Sequence, residues 1–184
     1  MGETGRMRML RGLVALLVLM LVAGCGTESS PASSPSSTPA GASSDAREAD
    51  AGTSADLAFT ATTLEGTPFD GTSLEGTPTV LWFWAPWCPT CRAQISTVSG
   101  LGRDYAGQVN VIGVGGLDTQ DEIEDLAGEI DHVTHLVDDE GEVWKHFRVT
   151  AQSTYTVIDA DGAIVHEGYL DNGAIEDLVA DLAG

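Results

Sequence analysis

Between Pro78 and Tyr105 the hydrophobic pattern changes its period at a cysteine. PTVLWFW, Pro78 to Trp84, is a continuous apolar run bounded by turn formers, the pattern of a strand buried on both faces. In CPTCRAQISTVSGLGRDYAG the apolar positions Ile95, Val98, Leu101 and Tyr105 recur at helical spacing. That spacing predicts a helix despite Gly100 and Gly102. At the junction stand Cys88 and Cys91, two residues apart. Such a pair can be half of a zinc site, a structural cross-link or a working redox couple.

The flanking segments place this junction in a larger alternation, and no internal repeat is visible. AFTATTLEGTPFDGTSL reads as a short hairpin turning at Leu64-Glu65-Gly66. Val109 to Val114 is a second buried strand, and DTQDEIEDLAGEI is an acidic amphipathic helix capped by Asp118 or Thr119. HLVDDEG gives a short strand and turn. EVWKHFRV gives one or two helical turns with Val143, Trp144 and Phe147 inward. TYTVIDADGAIVHEGYL is a hairpin turning at Asp161-Gly162, and the last helix carries Ile175, Leu178, Val179 and Leu182 on one face. The order predicts an α/β domain: a central mixed β-sheet flanked by helices, preceded by an N-terminal β-hairpin.

The N-terminus addresses the chain. Arg6, Arg8 and Arg11 precede the apolar run Leu13 to Val22, the layout of an export signal and short for a membrane span. The run closes in LVAGC, which resembles a bacterial lipobox; that resemblance implies cleavage before Cys25 and lipidation of its sulfur. Residues 1–24 are therefore expected to be a lipoprotein signal peptide. Residues 25–54, rich in Ser, Pro and Ala, are expected to form a lipid anchor and disordered linker. Residues 55–184 make one domain.

Charge and cysteine count narrow the function. The chain carries a formal charge of −20, and losing Arg6, Arg8, Arg11 and Glu3 with the signal takes it to −22. Five basic residues remain, Arg47, Arg92, Arg103, Lys145 and Arg148. No basic stripe exists to meet phosphates, so nucleic-acid binding is not expected. Of three cysteines, a lipidated Cys25 leaves the single pair Cys88 and Cys91 in a compartment where disulfides persist.

The buried strand VLWFWAPW running into CPTC at a helix start resembles the thioredoxin fold. The TVIDADGAIVHEG hairpin and final helix extend the resemblance over residues 55–184. The N-terminal hairpin and the Asp118–Phe147 segment are similar to the exported TlpA/ResA/DsbE branch. WFWAPWCPTC is especially similar to secreted actinobacterial DsbE-like proteins. Elementary chemistry agrees. Cys88 would precede the helix, with Pro89 at its first position, where a missing N–H is no loss. Free N–H groups and the helix dipole there favour a thiolate. Cys91, one turn in, should be more buried.

The competing chemistries are less well supplied. Zinc needs about four ligands, no second C-x-x-C exists, and His132, His135, His146 and His166 lie far off in sequence. His132-x-x-His135 could be a half-site, but solvated loop histidines are the simpler reading. A copper chaperone of the SCO type would show wider cysteine spacing and a suitably placed histidine. A structural disulfide closing so tight a loop would constrain the unfolded chain little. Trp82, Phe83, Trp84 and Trp144 read as core, and Trp87 as part of an apolar contact surface beside the sulfurs.

Four positions depart from the family pattern. Gln94 and Ser96 stand where a glutamate and then a proline are usual. Trp82 stands where thioredoxins bury an aspartate. Neither familiar acid is available to move the proton of Cys91, so reduction of a substrate disulfide would be slowed or solvent would carry the proton instead. Ser153 stands at the position of the family's cis-proline. A cis bond before a non-proline residue costs about 2.5–4 kcal/mol, so a trans Gln152–Ser153 bond and a reshaped loop are expected.

The resemblance implies an extracytoplasmic thiol-disulfide oxidoreductase, lipid-anchored through Cys25 to the outer face of the cell membrane. Cys88 would be the nucleophile and Cys91 the resolving cysteine of a redox disulfide, with Trp87, Pro89 and Thr90 in support. Gln152, Ser153 and Thr154 would form the substrate-binding loop. No cofactor, metal or nucleic acid is expected. The expected partners are exported cysteine-containing proteins, a membrane or secreted redox partner, and the membrane itself. Oxidation is the favoured direction; reduction in cytochrome c maturation and a non-catalytic thioredoxin-fold binding module are the alternatives.

Overall fold

The computed structural model describes residues 53–184. The expected signal peptide, Cys25 and the expected linker as far as residue 52 lie outside the described residues. Eleven strands and helices follow in chain order: β1 (Thr60–Thr63), β2 (Pro68–Asp70), β3 (Thr79–Trp84), α1 (Pro89–Asp104), β4 (Asn110–Gly116), α2 (Gln120–Ala127), β5 (Thr134–Asp138), α3 (Glu142–His146), β6 (Thr154–Ile158), β7 (Ile164–Gly168) and α4 (Asn172–Ala183). A 3-10 turn, Gly71–Leu74, joins β2 to β3.

The strands form one mixed sheet in the order β2-β1-β5-β4-β3-β6-β7. β3, β4 and β5 are parallel, while β6 and β7 on one side and β1 and β2 on the other run antiparallel. The continuous apolar run of β3 follows from its central place, since every one of its six residues is buried. Side chains alternate across a strand. Val80, Trp82 and Trp84 join a core with Val98 and Leu101 of α1, Ile123 of α2, and Ile175 and Val179 of α4. Leu81 and Phe83 join another with Val143 and Trp144 of α3 and with Leu57 and Phe59.

Two local expectations need correction. β4 runs Asn110–Gly116 instead of Val109–Val114, because its pairing continues past Val114, Trp84 opposing Gly115 and Asp138 opposing Gly116. A Cβ at Gly113 would lie 2.6 Å from His135 Nδ1 and 3.1 Å from Trp84 Nε1, so the glycine makes room for the His135 ring and, less tightly, the Trp84 indole. The other correction is His135. It is not a solvated loop residue but lies buried on β5, at 4% exposure, packed edge-on to Trp84. His132, by contrast, is exposed.

Candidate active site

α1 begins where the chain leaves the carboxyl end of β3. Cys88 is its N-cap, in extended backbone, and Pro89 fills the first helical position. There the Cys88 sulfur accepts the Cys91 backbone N–H at 3.2 Å. This satisfies one of the donors that a helix start leaves without partners. Cys91 lies fully buried one turn on, and Cys88 is only 4% exposed. Both are free thiols.

The two sulfurs titrate in opposite directions. Burial opposes ionisation of Cys88, but hydrogen bonds from the Cys91 thiol, Ser153 and the backbone of Cys91 and Thr90 outweigh it and bring its pKa below the ordinary thiol value. Burial, reinforced by the neighbouring Cys88 sulfur, pushes Cys91 up to about 11. Ionisation is thus favoured at Cys88 and disfavoured at Cys91.

Ser153 closes the site from the opposite loop. Its hydroxyl lies 3.2 Å from the Cys88 sulfur and 3.0 Å from the Cys91 sulfur. The loop carrying it is reshaped relative to a proline loop. Ser153 has φ 65° and donates its N–H to Phe83 O at 2.9 Å, whereas proline has φ near −65° and no N–H. Thr154 turns its hydroxyl onto Ala151 O at 2.9 Å, and Gln152 is half-buried.

Trp82 and Gln94, the positions lacking the familiar acids, are each other's partner. Trp82 Nε1 donates to Gln94 Oε1 at 2.9 Å, and Gln94 Nε2 reaches Leu170 O at 3.4 Å. An indole can only donate, so the buried pair is neutral and satisfied. Ser96 faces solvent on α1.

A profile of the AhpC/TSA family matches residues 52–167. The chain belongs to the AhpC/TSA family. Its fold is the thioredoxin fold, shared at a TM-score of 0.64 with MTB dsbF, solved in mixed oxidised and reduced forms; that structure is 36% identical, over 68% of this chain and 96% of the other. A secreted Mycobacterium tuberculosis disulfide oxidoreductase homologous to E. coli DsbE aligns at a TM-score of 0.62 and 33% identity, over 68% of this chain and 97% of that one. Soluble secreted antigen MPT53 of Mycobacterium tuberculosis is 34% identical over 107 residues, 58% of this chain. The chain covers 61% of that curated relative's length.

Within this AhpC/TSA domain the structure brings Cys88, Cys91 and Ser153 together and leaves Trp87, Pro89 and Thr90 at the surface around them. Trp87 is 53% exposed and fixed by its Nε1 to Leu117 O at 3.1 Å. Leu117, itself 49% exposed at φ 59°, extends the apolar surface beside the cysteines. Nothing local marks Leu117 in the sequence, because its partner is 30 residues away. Among the described residues no three His, Cys, Asp or Glu side chains converge to hold a metal ion, and no helix is long and apolar enough to cross a membrane.

Proposed function

We propose that the chain is an extracytoplasmic thiol-disulfide oxidoreductase that exchanges disulfides with exported proteins through Cys88 and Cys91, favouring oxidation, and is tethered to the membrane by a lipid on Cys25. The observation that carries the reading is the asymmetry of the two sulfurs: Cys88 at the helix start with a depressed pKa, Cys91 buried with a raised one. The family membership and the mycobacterial relatives named as secreted or as a disulfide oxidoreductase support it.

In the oxidising direction a substrate thiolate attacks the Cys88 sulfur of the disulfide, and Cys91 leaves and takes up a proton. A second substrate thiolate then attacks the substrate sulfur of the mixed disulfide and releases the Cys88 thiolate. Two electrons pass from substrate to pair. Stabilising the Cys88 thiolate favours the reduced pair and so makes the disulfide a stronger oxidant.

Equilibration of the pair against glutathione buffers, with turnover of one reduced and one disulfide-bonded protein, tests the reading. The expected potential lies well above that of thioredoxin, about −270 mV; a value near it overturns the oxidising direction. Turnover equal to that of Cys88→Ala overturns the enzyme and leaves a binding module. Release of Cys25→Ala from the membrane fraction, with the natural chain retained there, tests the tether.

A further inference from the structure

The resolving cysteine must lose or gain a proton in every exchange, yet its surroundings hold no free base. Trp82 and Gln94 are occupied with each other. Tyr155 packs in the same core, and its hydroxyl has no hydrogen-bond partner; burial raises its pKa, so it stays protonated. Among the described residues Asp138 is the one buried carboxylate, and it accepts the N–H groups of Glu142, Val143 and Trp144 at the start of α3. His135, also buried, sits against Trp84 on β5 and is held neutral by burial.

Ser153 alone of these polar groups touches the sulfurs, and it touches both. A hydroxyl has one proton to give and lone pairs to receive another. Set between two sulfurs, it can take a proton on one side while releasing its own on the other.

We propose that the Ser153 hydroxyl is the proton relay between Cys91 and the substrate sulfur bound at Cys88. The inference rests on the thiol-disulfide reading above. In the reducing direction, Cys91 Sγ bonds to Cys88 Sγ as the bond from Cys88 to the substrate sulfur breaks. The Cys91 proton passes to Ser153 Oγ, and the Ser153 hydroxyl proton passes to the departing substrate sulfur. The departing sulfur is about 2 Å from the Cys88 sulfur in the mixed disulfide, and the Cys88 sulfur is itself 3.2 Å from the hydroxyl, so a substrate bound on the Ser153 side brings its sulfur within reach. Serine ends as it began, and two electrons have moved from the pair to the substrate. Oxidation runs the same path backwards, the incoming thiol giving its proton to Ser153 and Ser153 giving its own to Cys91.

The test is rapid-quench mass spectrometry of the reduced full chain mixed with oxidised glutathione, following the Cys88–glutathione adduct and its resolution by Cys91. Ser153→Ala and Ser153→Gly both remove the hydroxyl but act oppositely on the backbone, since only glycine adopts φ 65° without strain. Resolution is expected to slow in both by about ten- to a hundredfold, the lower range of general acid–base catalysis. The adduct should accumulate, the rate should rise more steeply with pH than in the natural chain, and added imidazole should restore it. Natural-chain exchange no faster than in Cys88→Ala defeats the thiol-disulfide reading itself. Normal natural-chain exchange with both variants within twofold of it, or a loss in alanine that glycine repairs, overturns the relay alone.

Discussion

At the scale of single residues, the site is built from replacements that complement one another. A tryptophan where an aspartate is usual would bury an indole N–H without a partner, and a glutamine where a glutamate is usual would bury an amide. Together they make a 2.9 Å hydrogen bond and leave neither group stranded. Leaving a buried donor unpaired costs about 1–3 kcal/mol. Gln94→Leu, which keeps the volume and removes the acceptor, should lower unfolding stability by about that amount in urea titrations; an unchanged midpoint would show that the pair contributes nothing. The sequence exposes both departures as departures, because each sits at a fixed distance from a cysteine. That they face each other is visible only once α1 is folded onto β3. Ser153 is legible in the same partial way: its place in the loop can be counted, but its contact with sulfurs 62 and 65 residues earlier cannot.

At the scale of elements, local signals carried furthest where the element is self-sufficient. The apolar run of β3, the proline at the first position of α1 and the Asp161-Gly162 turn each encode their own geometry, and each appears as expected. β5 does not encode its own burial. Its residues read as a short strand and loop, and His135 becomes buried because β5 is inserted between β1 and β4 by long-range pairing, with His135 opposite Gly113. That placement has a consequence for acid stability. Burial lowers the His135 pKa to about 4, against about 6.5 in the unfolded chain. A histidine with a depressed folded pKa stabilises the fold above its unfolded pKa, and that stability is lost as pH falls through the interval between the two values. The loss by pH 4 is about 3 kcal/mol, a little over two pKa units at 1.36 kcal/mol each. Unfolding stability measured at pH 7.5 and pH 4.5 should therefore fall more steeply in the natural chain than in His135→Leu, which has no ring to protonate. Equal slopes would mean the ring is hydrated or already charged at neutral pH.

At the scale of the whole molecule, the direction of exchange is a statement about which redox form folds better. Unfolded, the two cysteines are ordinary thiols, and a C-x-x-C disulfide closes a loop too short to constrain the chain much. Any stability difference between reduced and oxidised folds therefore reports how the folded site treats its sulfurs, and every 1.4 kcal/mol in favour of the reduced form raises the potential by about 30 mV. Hydrogen bonds to the Cys88 sulfur from Cys91 N, the Cys91 thiol and Ser153 favour the reduced site. The sign with pH follows from the two thiols. Cys88, whose folded pKa is depressed, contributes stability that is present above its unfolded pKa of about 8.5 and lost as pH falls through the folded value. Cys91, raised to about 11, subtracts stability as pH climbs above about 8.5, because the unfolded thiol ionises there and the folded one does not. The reduced domain should accordingly be the more stable form, with an advantage that grows as pH rises towards about 8.5 and declines beyond it. Parallel denaturation of the oxidised protein and of the protein held in excess reductant, from pH 6 to 10, measures this directly. A more stable oxidised form throughout that range would place the pair on the reducing side and turn the proposed direction of exchange around.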